Sequence, residues 1–155
     1  MATDPENTLV LDTTRGQVTI ELRPDVAPNH VARIKELVRD GFYNGIVFHR
    51  VIEGFMAQTG CPKGNGTGGS GKKLNQEFND APHERGTVSM ARTQDPNSGD
   101  SQFFICFDRH PFLDKQYTVW GQVTEGMDAV DQIKRGEPVV DPDRIEKAWI
   151  AADAA

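Results

Sequence analysis

Phe48-His49-Arg50-Val51-Ile52-Glu53-Gly54-Phe55-Met56-Ala57-Gln58 reads as two short strands joined at Gly54. β-Branched and aromatic residues dominate both runs, and the glycine between them lets the backbone bend sharply. Alternation places Phe48, Arg50 and Ile52 on one face of the first strand, so a guanidinium stands in a row of apolar neighbours. Such an arginine is ordinarily satisfied by a carboxylate from elsewhere in the fold or by water at a sheet edge. Arg50, however, is followed within a few residues by the large side chains of Phe55 and Met56 and by the amide of Gln58. Apolar surface and directed hydrogen-bonding groups in one place suit a binding cleft better than a core.

At 155 residues the chain has the length of one domain, 1–155, with a full core that requires neither disulfides nor metal. Hydrophobic residues at 37% and charged residues at 26% describe a soluble globular protein. No apolar run approaches a membrane span, and Met1-Ala2-Thr3-Asp4-Pro5-Glu6-Asn7 lacks the basic head and apolar stretch of a leader, so cytoplasmic residence is the expectation. Cys61 and Cys106 are too few for a disulfide framework, and Cys106 falls mid-strand, where a small buried thiol is ordinary. A net charge of −6 without a lysine-arginine cluster argues against nucleic acid as a partner. His30, His49, His83 and His110, taken with the cysteines, show no metal-ligand spacing, and no G-x-S-x-G turn presents Ser89 or Ser101 as a nucleophile. No metal or other cofactor is expected. His49 alternates to the face opposite Arg50 and reads as a hydrogen-bonded core residue.

Outward from this pair, the chain begins with an antiparallel hairpin. Thr8-Leu9-Val10-Leu11-Asp12 and Gln17-Val18-Thr19-Ile20-Glu21-Leu22 flank Thr13-Thr14-Arg15-Gly16, whose glycine supplies positive φ, and Val18, Ile20 and Leu22 point inward. A helix is predicted from Pro28 to its stop at Gly41, with Val31, Ile34, Leu37 and Val38 as its apolar stripe. Gly60 to Lys73 is glycine-rich with little apolar content, a long surface loop. Its Gly66-Thr67-Gly68-Gly69-Ser70-Gly71-Lys72-Lys73 approaches the phosphate-binding G-x-x-x-x-G-K-[ST] pattern. Lys73, however, stands in place of the Mg²⁺-binding hydroxyl and no amphipathic helix follows, so the glycines read as turns. Strands are predicted at Thr87–Ala91, Ser101–Phe107, Tyr117–Val123 and Arg144–Ile150, and a second helix from Met127 through Val130 and Ile133 to Gly136. Within Ser101–Phe107, Gln102 and Phe104 share one face while Phe103, Ile105 and Phe107 share the other. Gln102 is either a satisfied polar residue near a strand end or part of a site. His110-Pro111-Phe112-Leu113 reads as a turn exposing two hydrophobes.

Phe48-His49-Arg50-Val51-Ile52, Gly54-Phe55-Met56, Gln58, Gly66-Thr67-Gly68-Gly69, Ser89-Met90-Ala91, Ser101-Gln102-Phe103-Phe104-Ile105, Leu113-Asp114 and Val123-x-x-Gly126-Met127 together resemble the cyclophilin family of peptidyl-prolyl cis-trans isomerases. The resemblance runs from about Leu9 to Ile150 with the motifs in the family's order, and Met90-Ala91-Arg92-Thr93 with its compact loop is most similar to short bacterial members. It implies a mainly β fold, a closed antiparallel β-barrel of eight strands capped by two α-helices. It implies a site on the barrel's outer face, with Arg50 as the catalytic residue and Phe55, Met56, Gln58, Ala91, Arg92, Gln102, Phe104, Phe112, Leu113 and Tyr117 as substrate-binding residues. Strict alternation would send Phe55 and Met56 to opposite faces, so the backbone near Gly54 has to be irregular.

The implied activity is rotation about X-Pro peptide bonds during protein folding, with proline-containing peptides and unfolded or flexible proteins as partners. No bond is made or broken, so the chemistry needs no nucleophile and no metal. A chaperone-like module that binds proline-containing segments, with isomerisation incidental, is the alternative; retention of Arg50 favours the enzyme, since binding a proline ring needs only an apolar wall. Phe112 stands where many members carry tryptophan, which removes an indole donor and leaves weak cyclosporin binding as the expectation. Tyr117 replaces a frequent histidine, and Arg92 an asparagine. A monomer that touches no membrane is the default.

Overall fold

The chain opens with the hairpin its alternation predicts: β1 (Thr8–Thr13) and β2 (Gly16–Leu22) pair in antiparallel register with Leu9 opposite Ile20 and Leu11 opposite Val18. In this computed structural model residues 4–137 and 139–153 are described; Met1 to Thr3, Pro138, Ala154 and Ala155 lie outside them, as does that part of the N-terminal stretch read for a leader. Helix α1 (Pro28–Arg39) follows, entered at proline and left through Gly41 at φ 76°, and it buries Val31, Ile34, Leu37 and Val38 as its spacing requires. The remaining strands are β3 (Arg50–Ile52), β4 (Met56–Thr59), β5 (Thr87–Met90), β6 (Phe103–Cys106), β7 (Val119–Glu125) and β8 (Ile145–Ile150). A short helix, α2 (Met127–Asp131), lies between β7 and β8.

These strands form one eight-stranded sheet in the order β3-β4-β6-β5-β7-β2-β1-β8, antiparallel throughout. The sheet curls round a core that includes Val18, Ile20, Val51, Ala57, Val88, Phe103, Ile105 and Trp120, onto which α1 and α2 pack Ile34, Leu37, Ala129 and Val130. A closed barrel was expected; the sheet is an open, curled half-barrel whose edges are β3 and β8. The reason lies in β3, which is three residues long and has no ladder to β8. The chain just before β3 instead meets the chain around the start of β8 through irregular bonds, Gly45 N–H to the Ile145 carbonyl at 2.6 Å and Phe48 N–H to the Asp143 carbonyl at 2.8 Å.

Two other expectations change for the same kind of reason. Phe48 precedes the strand and turns into the main core, so it does not share a face with Arg50. The second helix ends at Asp131 rather than near Gly136, because Lys134 N–H bonds the Asp143 carboxylate and Gly136 pairs with Val51, drawing the chain out of helical conformation.

Gly60 ties the end of β4 to the start of β6. Its φ is 95°, a Cβ there would lie 2.3 Å from the Ser101 carbonyl oxygen, and Ser101 Oγ donates to the Gly60 carbonyl at 2.8 Å. Gly60→Ala is therefore expected to destabilise the fold by about 2–4 kcal/mol through left-handed strain and a backbone clash. Urea unfolding checks this as a lowered midpoint at unchanged slope, and a midpoint equal to wild type would refute the close approach.

Candidate active site

Strand register carries one row of side chains across the outer face of the sheet. Arg50 is opposite Gln58, Gln58 opposite Phe104 and Phe104 opposite Ser89. Two positions along, Ile52 is opposite Met56 and Met56 opposite Cys106, and a period of two puts both rows on the same face. Met56, Phe104, Cys106 and Leu113 form a small buried cluster separate from the main core, with Ile52, Phe55, Ala91 and Tyr117 packed against it. Leu113 is thus buried, contrary to the reading of its turn as exposing two hydrophobes, because the short 3-10 turn at Pro111–Leu113 folds it inward.

This cluster floors an open hollow of about 110 Å³ lined by Arg50, Phe55, Met56, Gln58, Ala91, Arg92, Phe104, Leu113 and Tyr117. The structure thereby brings together every residue expected at the site except Gln102 and Phe112. Gln102 lines an adjoining hollow of about 250 Å³ that shares Gln58, Ala91 and Arg92 with the first. Phe112 is 68% exposed on the rim, its ring 6.0 Å from that of Phe55. Phe55 and Met56 both reach the hollow because Gly54, at φ 72°, turns the chain and β4 starts only at Met56. His110 Nε2 donates to the Phe55 carbonyl at 2.8 Å and its ring meets the Phe55 ring edge-on at 4.9 Å, fixing that wall from below.

The polar side of the hollow is a one-way series of donors. Arg50 Nη1 donates to Gln58 Oε1 at 3.3 Å, Gln58 Nε2 to Gln102 Oε1 at 3.0 Å, and Gln102 Nε2 to the Gly66 and Gly68 carbonyls at 2.9 Å each. Each amide has its orientation set by its neighbour. At its other end Arg50 donates from Nε to the Glu137 carboxylate at 2.5 Å. The arginine therefore does find the carboxylate that the ordinary reading calls for, yet 42% of its side chain stays exposed beside the hollow. Arg92 is held as a wall: its guanidinium lies 4.7 Å from the Tyr117 ring centroid and bonds the Gln116 and Thr93 carbonyls at 2.8 and 2.9 Å.

Behind Phe104 lies a support that sequence reasoning missed. The His83 ring stacks on Phe104 at 6.2 Å, with Nδ1 3.2 Å from the Asp114 carboxylate and Nε2 2.9 Å from Ser89 Oγ. Arg109 makes two bonds to Asp114 and, with the bonds from His83, holds its carboxyl well below the usual carboxylate range. Leu113-Asp114 is among the motifs, but nothing local marks His83 as its partner. His83 and Ser89 are fully buried beside Phe104, while Asp114 and Arg109 reach the surface away from the hollow's lining, so the group braces the hollow rather than opening into it. His49 is buried as expected, but its Nδ1 has no hydrogen-bond partner among the described residues, which corrects the reading of a hydrogen-bonded core histidine. Glu137 also went unread, since only tertiary pairing brings it to Arg50.

Comparison with known proteins gives a consistent picture. The family model described as "Cyclophilin type peptidyl-prolyl cis-trans isomerase/CLD" matches residues 8–150. A probable peptidyl-prolyl cis-trans isomerase of Brucella suis is 57% identical, over 98% of this chain and 86% of the relative. A cyclophilin of Hirschia baltica superposes with a TM-score of 0.93 at 35% identity, covering 100% of this chain and 77% of that one. A cyclophilin of Cryptosporidium parvum, solved in the presence of the dipeptide Ala-Pro, superposes with a TM-score of 0.86 at 27% identity, covering 92% of this chain and 98% of that one.

Burial pushes the imidazoles of His30, His49 and His83 below their ordinary value of 6.5. Because the unfolded chain binds protons there that the folded chain resists, the stability they contribute is present above that value and is lost as pH falls through it. The depressed Asp114 carboxyl acts in the same direction at lower pH. The urea midpoint is expected to drop between about pH 7 and pH 5, with a shallower drop in His83→Asn. A midpoint that stays level or rises over that range would contradict neutral buried imidazoles.

Proposed function

The chain belongs to the cyclophilin-type peptidyl-prolyl cis-trans isomerase family and is an isomerase of that type, and we propose that it works by seating a proline ring in the outer-face hollow while Arg50 donates to the prolyl nitrogen. The observation that carries this mechanism is the position of Arg50: a partly exposed guanidinium, held at two of its nitrogens, on the edge of an apolar hollow.

The physical task is to lower a rotation barrier of about 18–20 kcal/mol that arises from resonance across the C–N bond. In the twisted amide the prolyl nitrogen regains a lone pair and the carbonyl loses charge separation. A donor aimed at that nitrogen meets no lone pair in the planar ground state, so its interaction grows only on the way to the transition state. Phe55, Met56, Phe104 and Leu113 supply the apolar seat, which holds the ring and disfavours the more polar planar amide. Gln58, Gln102 and the backbone at Ala91 and Arg92 grip the peptide, so that rotation is confined to one side of the bond.

Proline-containing peptides and unfolded or flexible chains are the substrates this reading implies, supported by the Ala-Pro dipeptide in the Cryptosporidium parvum study. Acceleration of slow folding steps is the role in which such an activity matters, since uncatalysed prolyl isomerisation takes tens of seconds or longer. Cytoplasmic residence is part of the same proposal and is supported by two buried cysteines that are free thiols. Phe112, exposed and without an indole N–H, favours weak cyclosporin binding.

In a protease-coupled assay on a short Ala-Pro peptide, Arg50→Ala is expected to lower kcat about 10²-fold or more while KM changes by less than about threefold. Equal losses in turnover and affinity would instead favour a binding module in which isomerisation is incidental.

A further inference from the structure

Arg50 has a neighbour on each side. Gln58 stands on its β4 flank, and on the other flank Val51 and Gly136 exchange both backbone hydrogen bonds, each at 2.8 Å, as an antiparallel bridge. One step along an antiparallel pair sets residue 137 opposite residue 50, with both side chains on the same face. Val139 N–H bonds the His49 carbonyl at 3.1 Å, so backbone pairing brackets the Arg50–Glu137 pair on both sides. We infer that Glu137 is a positioning residue for catalysis: backbone register delivers its carboxylate to Arg50 Nε and fixes the direction in which the guanidinium presents its remaining donors to the prolyl nitrogen. This inference rests on the role proposed above for Arg50.

An exposed ion pair between two long side chains is usually worth little, because ordering both costs about what the screened attraction returns. Glu137 is itself 57% exposed. Here, however, the chain that carries it is fixed independently of the pair. Arg135, two residues before, donates to Glu53 at 2.7 Å and to the Asp131 and Ile133 carbonyls at 2.7 and 2.6 Å, and its guanidinium covers the Phe107 ring at 4.4 Å. Lys134 N–H bonds the Asp143 carboxylate at 2.8 Å. The loop is already ordered, so the Glu137 contact is left to orient one guanidinium. Two effects then oppose each other at Arg50. The carboxylate offsets part of its positive charge, which weakens donation, and it removes torsional freedom, which strengthens it. In partly exposed surroundings the charge effect is screened by water, whereas the geometric one is not, so orientation prevails.

The test uses the full chain. Glu137→Ala is expected to lower kcat about fivefold with KM within about twofold, and Glu137→Gln, which keeps an acceptor oxygen, to recover at least half of that loss. In an Arg50→Ala background the Glu137→Ala substitution is expected to have no further effect, since it acts through the guanidinium. A readout without substrate accompanies the kinetics: the Arg50 Nε–Hε cross-peak in ¹⁵N NMR is expected to be protected from solvent exchange in wild type and to lose that protection in Glu137→Ala. Unchanged or raised kcat in Glu137→Ala, while Arg50→Ala does lose turnover, would overturn the inference and leave the mechanism standing. Full activity in Arg50→Ala would overturn the mechanism first and this inference with it, whatever the cross-peak shows.

Discussion

The register between β3, β4 and β6 is the constraint on which the rest depends. It sets Arg50, Gln58 and Phe104 in one line on the outer face while Val51, Ala57 and Ile105 line up on the inner one. A slip of one residue would exchange the two sets, placing a guanidinium and an amide in the core and three core side chains in water. Burial of Val51, Ala57 and Ile105, each almost wholly inaccessible, therefore holds the site geometry in place. The site inherits its order from the core beneath it.

A second consequence is that the sheet carries apolar side chains on both faces at one place. The inner face meets the two helices; the outer cluster of Met56, Phe104, Cys106 and Leu113 is covered only in part, by Ile52, Phe55, Ala91 and Tyr117, which leaves an open hollow. Burial pushes the Cys106 thiol up to about 12, so it behaves there as a small apolar group. The hollow keeps its shape because its walls are braced from behind. His83, Ser89 and Asp114 support Phe104, His110 supports Phe55, and Tyr117 carries the Arg92 guanidinium. A concave apolar surface held rigid by polar groups beneath it is what a ring-shaped ligand requires.

Much of this was legible in the sequence because it depends on local periodicity. Alternation separated Gln102 and Phe104 from Phe103 and Ile105, and the helix spacing of Val31, Ile34, Leu37 and Val38 named the face that α1 buries. The glycine at position 54 marked the place where the alternation fails. The remainder was set by partners distant in sequence. Glu137 reaches Arg50 only through the Val51–Gly136 bridge, and His83 reaches Phe104 only through the β5–β6 pairing at Ser89. The open edge of the sheet follows from a strand that stops at three residues, a length that β-propensity over Phe48 to Ile52 overstates. The same overstatement misplaced Phe48, and the apolar spacing of Met127, Val130 and Ile133 did not reveal that the next residues are drawn into the bridge.

The central claim is that a proline ring occupies the outer-face hollow while its preceding peptide bond rotates. Isotope-filtered NMR on a short Ala-Pro peptide with substoichiometric protein tests it most directly, because exchange cross-peaks report rotation and intermolecular contacts report where the ring sits. Cis–trans exchange peaks are expected together with contacts from the proline ring to Met56, Phe104 and Leu113. Exchange peaks accompanied by ring contacts elsewhere on the surface, such as the groove between Arg23 and Pro82, would contradict it.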